Sequence, residues 1–182
     1  MTILIILAVV AVLALWVISI QRSLVSEDEK CQNAMSQIGV QQSSRWDALT
    51  ALAELTKSYN EHEYNALRDI IAARSGISRN STAAEADAQE DMLNQVISRI
   101  NVVAEQYPEL KANENYAKTM DSVNIYENQV RMSRMVYNDS VTIYNRKVRS
   151  FPDSIVASML HFDTKDYLKV EAQKTAMPSM KI

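Results

Sequence analysis

The sequence predicts an all-α fold: a single N-terminal transmembrane helix followed by an antiparallel bundle of three or four long helices. Three observations carry this. The 182 residues include only two glycines, Gly39 and Gly76, and three prolines, where an average composition would supply roughly a dozen glycines. Sheets, hairpins and nucleotide-binding loops need glycine for positive φ angles, so all-β, Rossmann and P-loop folds are disfavoured at once. Residues 3–20 are almost purely apolar, and beyond them apolar residues recur at helical spacing.

Residues 3–20 read ILIILAVVAVLALWVISI, with Ser19 the only polar residue. As a helix they span about 27 Å, close to the hydrocarbon thickness of a bilayer. Ile3, Leu7, Val10, Leu13 and Ile20 mark the anchor, and Trp16 suits the headgroup interface. A cleaved signal peptide needs a basic leading region and a small-x-small cleavage site. No Lys or Arg precedes Arg22, and the segment leaves as WVISIQRS, so an uncleaved anchor is expected. Cys31 follows Glu-Lys rather than an apolar small-residue run, which argues against a lipoprotein. Arg22 and Lys30 flank the segment on its C-terminal side, and the positive-inside rule then favours the bundle in the cytoplasm, with the opposite orientation as the alternative.

The first bundle segment, residues 22–74, would be about 80 Å long if unbroken. Its stripe is Cys31, Met35, Ile38, Gln42, Arg45, Leu49, Leu52, Thr56 and Tyr59, with Leu67, Ile70 and Ile71 continuing it. A kink or break within residues 39–50 gives four helices; an unbroken segment gives three. Gly76 is expected to cap the end of this segment, and residues 76–86 read as a loop. The next helix, residues 85–107, carries Met92, Val96, Ile100 and Val103 on one face and ends at Pro108. Asn113 then caps a long helix whose stripe is Tyr116, Met120, Val123, Glu127, Val130, Arg134, Tyr137, Val141, Tyr144 and Val148. This seven-residue repeat predicts coiled-coil-like packing, with Glu127 and Arg134 pairing to other helices. Ser150, Phe151 and Pro152 close it, and a short helix over residues 154–160 follows. The organisation expected is therefore an anchor at residues 1–21, a bundle at 22–162 and a loosely ordered polar tail at 163–182.

Several strings go beyond a generic bundle. Residues 35–67 contain Arg45-Trp46-Asp47, and residues 105–162 contain Tyr107-Pro108-Glu109-Leu110-Lys111-Ala112-Asn113. Further on stand Tyr137-Asn138-Asp139-Ser140-Val141, Tyr144-Asn145 and Ser150-Phe151-Pro152. In order and spacing these resemble the LemA family, along most of the chain. The resemblance implies a bacterial, membrane-anchored helical bundle with no established enzymatic activity. Members are often encoded near membrane-protein quality-control or TPM-domain partners, which implies a partner-binding role. Where the family usually has Ile-Pro-Asn-Leu this chain has Leu49-Thr50-Ala51-Leu52, and Ile-Asp-Val is here Ile38-Gly39-Val40.

The residues themselves supply no catalytic constellation. The histidines are His62 and His161, so no zinc-protease helix is present. No Glu-x-x-His repeat suits a di-iron bundle, and no serine lies in a G-x-S-x-G elbow. Cys31 reads as a small packed residue. The tyrosines Tyr107, Tyr116, Tyr126, Tyr137 and Tyr144 read as core residues with their hydroxyls at its edge, an aromatic partner-binding groove being the alternative. Asn138 and Asn145, seven apart, are expected to bond across the bundle and fix its register. With a net charge of −3 there is no basic excess for nucleic acid, and no cofactor or metal is expected. The expected function is a membrane-tethered helical interaction module in the bacterial inner membrane, with the lipid bilayer and a membrane or membrane-proximal protein as partners. A self-assembling structural protein (a homo-oligomer) and a metal-binding or enzymatic bundle are the alternatives.

Overall fold

A computed structural model describes residues 1–169. Six helices follow one another: α1 (Thr2–Thr56), α2 (Glu61–Ala72), α3 (Ala83–Gln106), α4 (Pro108–Lys111), α5 (Glu114–Arg149) and α6 (Asp153–Met159). No strand occurs among the described residues. α1 and α3 run parallel, and α2 and α5 run antiparallel to them, giving an up-down-up-down bundle away from the anchor. Nearer the anchor the bundle thins to α1, α5, α6 and the segment at residues 163–169.

α1 is one uninterrupted helix from the apolar N-terminal segment, expected to be the anchor, into the bundle. The break considered within residues 39–50 does not occur. No proline interrupts the segment, and the chain turns only at Lys57–Asn60, where Asn60 caps α2 by accepting from the Glu63 backbone N–H at 3.0 Å. Gly39 does not bend the helix. A Cβ placed there would lie 2.1 Å from the Ile77 carbonyl oxygen, so the glycine admits a crossing loop against the helix. Gly76 does not cap the segment either: α2 ends at Ala72 with Ala73 as its C-cap, and neither glycine takes a positive φ.

α3 begins with a reciprocal capping box. The Thr82 hydroxyl accepts from the Glu85 N–H at 3.2 Å, and the Glu85 carboxylate accepts from the Thr82 N–H at 2.7 Å. Pro108 ends α3 and also opens α4, where its missing N–H is harmless at the first helical position. The Asn113 side chain accepts from the Asn115 and Tyr116 N–H groups and so starts α5, as expected.

The core has three apolar layers. Farthest from the anchor, Trp46, Leu49, Leu52, Leu67, Leu93, Val96, Ile100, Leu110 and Val123 pack together. The middle layer holds Cys31, Met35, Ile38, Ala86, Tyr137, Val141, Tyr144 and Leu168. The third joins Ile20 and Leu24 of α1 to Val156 and Ala157 of α6. Each fully buried Leu, Ile or Val stabilises the fold by about 1.5–3 kcal/mol before entropy is counted.

The expectation of a loosely ordered tail from residue 163 fails for residues 163–169, which lie in extended conformation against α5 and insert Leu168 into the middle layer. Residues 170–182 lie outside the described residues.

Candidate functional site

An ionic layer separates the two larger apolar layers. Arg45, fully buried on α1, donates to Glu90 Oε1 at 2.6 Å, to Glu127 Oε2 at 3.1 Å and to Asn94 Oδ1 at 3.2 Å. Gln42 continues the set: its Nε2 donates to Glu90 Oε2 at 3.2 Å. One turn nearer the anchor, Arg134 of α5 binds Asp87 of α3 and donates to the Lys169 carbonyl at 2.9 Å. Glu127 and Arg134 thus pair to other helices and not to each other, as their shared stripe suggested. Removing one partner of such a pair leaves a buried charge and costs about 3–5 kcal/mol. These charges are consumed in fixing the register of α1, α3 and α5.

Asn138 and Asn145 hold the extended segment instead of bonding across the helices. Asn138 donates to the Leu168 carbonyl at 3.1 Å and accepts from the Leu168 N–H at 2.9 Å. Asn145 makes the same pair with Lys165, both at 2.8 Å. Seven helical residues rise about 10.5 Å, and three extended residues cover about 10 Å. The two amides are therefore spaced to grip residues 165 and 168. Tyr144 and Tyr137 donate their hydroxyls to the carbonyls of Asp163 at 2.9 Å and Asp166 at 3.3 Å. Burial pushes both phenols up to about 12 and the neighbouring Cys31 thiol up to about 11, so all three are neutral at ordinary pH.

The outer face of α5 is different. Ile125, Met132, Val136 and Ile143 fall within about 40° of one another at 100° per residue and form a stripe about 27 Å long. Met132 is 57% exposed and Ile125 55%. Met135 adds a further exposed side chain at the stripe's edge. The stripe lies opposite the one formed by Val123, Val130, Arg134, Tyr137 and Val141, which faces the core. A helix already buried along one side has no packing need for a second apolar line, and exposed apolar patches of this kind mark interaction surfaces. The heptad repeat in the sequence marks only the inner stripe. The steps of seven, four and seven between residues 125, 132, 136 and 143 are the signal that would have revealed the outer one.

A model of the LemA family matches residues 34–182. The chain belongs to the LemA family. It is also similar to the protein LemA of Metamycoplasma hominis, at 24% identity over 141 residues. That alignment covers 77% of this chain and 64% of the relative, so the chain spans less than two thirds of that protein's length. The family match begins beyond the apolar anchor and takes in the ionic layer, the two asparagines and the outer stripe.

The residues through which the chain resembles other LemA proteins fall into separate structural tasks. Trp46 is buried in the layer farthest from the anchor, while Asp47 is exposed and pairs with Arg74 at 3.4 Å. Tyr107 stacks obliquely on Tyr59 with ring centres 5.9 Å apart, Pro108 opens α4 and Asn113 opens α5. Tyr137, Asn138, Tyr144 and Asn145 bind the extended segment, and Phe151 and Pro152 form the turn after α5. Of the anchor residues, Ile3, Leu7, Val10, Leu13 and Trp16 are exposed, whereas Ile20 packs against α6. α1 is the one described helix long and apolar enough to cross a membrane. Among the described residues, no group of three or more His, Cys, Asp or Glu is placed to hold a metal ion. His62 and His161 stand apart and exposed on different elements.

Proposed function

We propose that this chain is a membrane-tethered, non-catalytic interaction module that presents the outer stripe of α5 to a membrane or membrane-proximal protein. The observation that carries the reading is the second apolar line on α5, displayed by a helix whose other side is fully used by the core. Met132 and Met135 suit such a surface, because unbranched thioether side chains adapt to a partner's shape. The buried carboxylates Asp87 and Glu90 are engaged by Arg134 and Arg45, which leaves them structural. Residues 3–20 cross a bacterial cytoplasmic membrane in this reading. Arg22 and Lys30 support placing the bundle on the cytoplasmic side.

A photo-crosslinking side chain at Met132 or Val136, in the full chain and in its native membrane, tests this. The expected product is a discrete adduct with a second protein, absent when the same group stands at Asn80. Adducts to another copy of the chain would favour the self-assembling alternative. Absence of any protein adduct at either position would contradict the proposal.

A further inference from the structure

The end of the bundle nearest the anchor carries a second exposed apolar surface. We infer that Phe151 and α6 form a foot that rests in the interfacial zone of an anionic phospholipid bilayer. The inference rests on the reading that residues 3–20 cross the membrane.

Height along α1 comes first. Antiparallel pairing brings Lys147 of α5 to Ser23 and Glu27 of α1. Val148 packs with the layer of Ile20 and Leu24, and Val17 joins the same layer. The turn at residues 150–152 therefore lies level with the end of the apolar segment, where Trp16 also sits. α6 follows at that level, because Val156 and Ala157 pack on Ile20 and Leu24.

The composition of the turn and of α6 comes next. Phe151 is 81% exposed, and Ile155, Met159 and Leu160 are exposed as well. Ile155 and Met159 are four residues apart and share a face of α6, while Val156 and Ala157 supply its buried face. Large apolar side chains standing free beside a membrane-crossing helix match those of interfacial helices, which sink about 5–10 Å into the headgroup boundary.

Charge points the same way. Arg22, Arg146 and Arg149 are exposed at this end, and none forms an ion pair among the described residues. The unpaired carboxylates nearest this end are Asp153, which opens α6, and Asp163, just beyond it; Glu29, exposed on α1, lies about two helical turns farther from Phe151 than Arg22 does. Glu27 is already neutralised by Lys30 and Lys147, and Asp28 by Lys165. Three guanidinium groups without a carboxylate partner among the described residues, of which Arg149 also donates from Nε to the Asn145 carbonyl at 3.2 Å, stand beside an apolar turn and complement phosphate headgroups. The chain then leaves the foot cleanly. His161, at φ 58°, reverses its direction, with the Phe162 N–H reaching the Ala157 carbonyl at 2.9 Å.

Depth measurement tests the foot. The full chain carrying Cys31→Ala, with one added cysteine from Phe151→Cys or Ile155→Cys, is labelled with an environment-sensitive fluorophore. It is then placed in nanodiscs of equimolar phosphatidylcholine and phosphatidylglycerol. Both positions are exposed, so the label displaces no packed side chain. The expected result is blue-shifted emission, strongly quenched by nitroxides at the lipid headgroup and weakly by nitroxides deep in the acyl chain. Val10→Cys should show the reverse preference, and Asn80→Cys should be quenched by neither. Replacing Arg146 and Arg149 by Gln should reduce headgroup quenching at position 151. Water-like emission at 151 and 155 with a deeply quenched label at 10 would overturn the foot and leave the anchor standing. Water-like emission at all positions would overturn the anchor reading and the foot with it. A blue shift without quenching by either nitroxide would mean that protein covers the surface, which also contradicts the inference.

Discussion

At the scale of single residues, Gly39 and Cys31 show how local space decides what a side chain does. Gly39 looks like a helix bend in sequence, yet it serves a backbone contact between α1 and the loop before α3. Gly39→Ala would drive a methyl group into the Ile77 carbonyl, and the backbone can relieve this only by moving the loop. The expected loss is about 1–3 kcal/mol in urea unfolding; an unchanged midpoint would show that the loop does not press on the helix. Cys31 was legible as a packed residue, because a lone cysteine on an apolar stripe has no chemistry around it. Burial raises its thiol to about 11. The folded state therefore favours the neutral form, and that stabilisation is complete below the ordinary thiol range and lost as pH climbs toward the raised value. At pH 8, alkylation of the folded protein should be about a hundredfold slower than that of the denatured chain. Equal rates would place the thiol at the surface.

At the scale of elements, helix starts were easier to read than helix interiors. Asn113 and the closure at residues 150–152 were legible because caps and prolines act through their immediate neighbours. The unbroken course of α1 was not, because Gly39 sends the same local signal whether it bends a helix or admits a neighbour. The extended segment at residues 163–169 was also missed. It is polar in sequence, and its order comes from side chains on α5 about twenty to thirty residues away. Asn138 and Asn145 read as structural amides in the sequence, but helical spacing does not show that their partner is the backbone of residues 165–168. Asn138→Leu removes both hydrogen bonds to Leu168, and the expected cost is about 1–3 kcal/mol. Amide exchange at Leu168 should accelerate while the helical signal of circular dichroism is unchanged. Unaltered exchange would mean that the tyrosines and Leu168 hold the segment without the amide.

At the scale of the whole molecule, one helix carries both the apolar N-terminal segment and the longest member of the bundle. This continuity fixes the level of the bundle relative to the apolar segment. It sets α6 level with the end of the apolar segment; under the proposed function it also stands the α5 stripe away from the bilayer, within reach of a membrane-proximal protein. A hinge between anchor and bundle would remove both consequences, since the bundle could then tilt freely. The long apolar helix was plain in the sequence from its unbroken apolar run. Its rigid joint to the bundle was not, because it depends on Ile20, Leu24 and Glu27 finding partners on α6 and α5. Hydrogen exchange of the full chain in lipid nanodiscs tests this joint most directly. The expected result is continuous slow exchange of the backbone amides from residue 17 to residue 31; a run of fast-exchanging amides between residues 21 and 30 would contradict it.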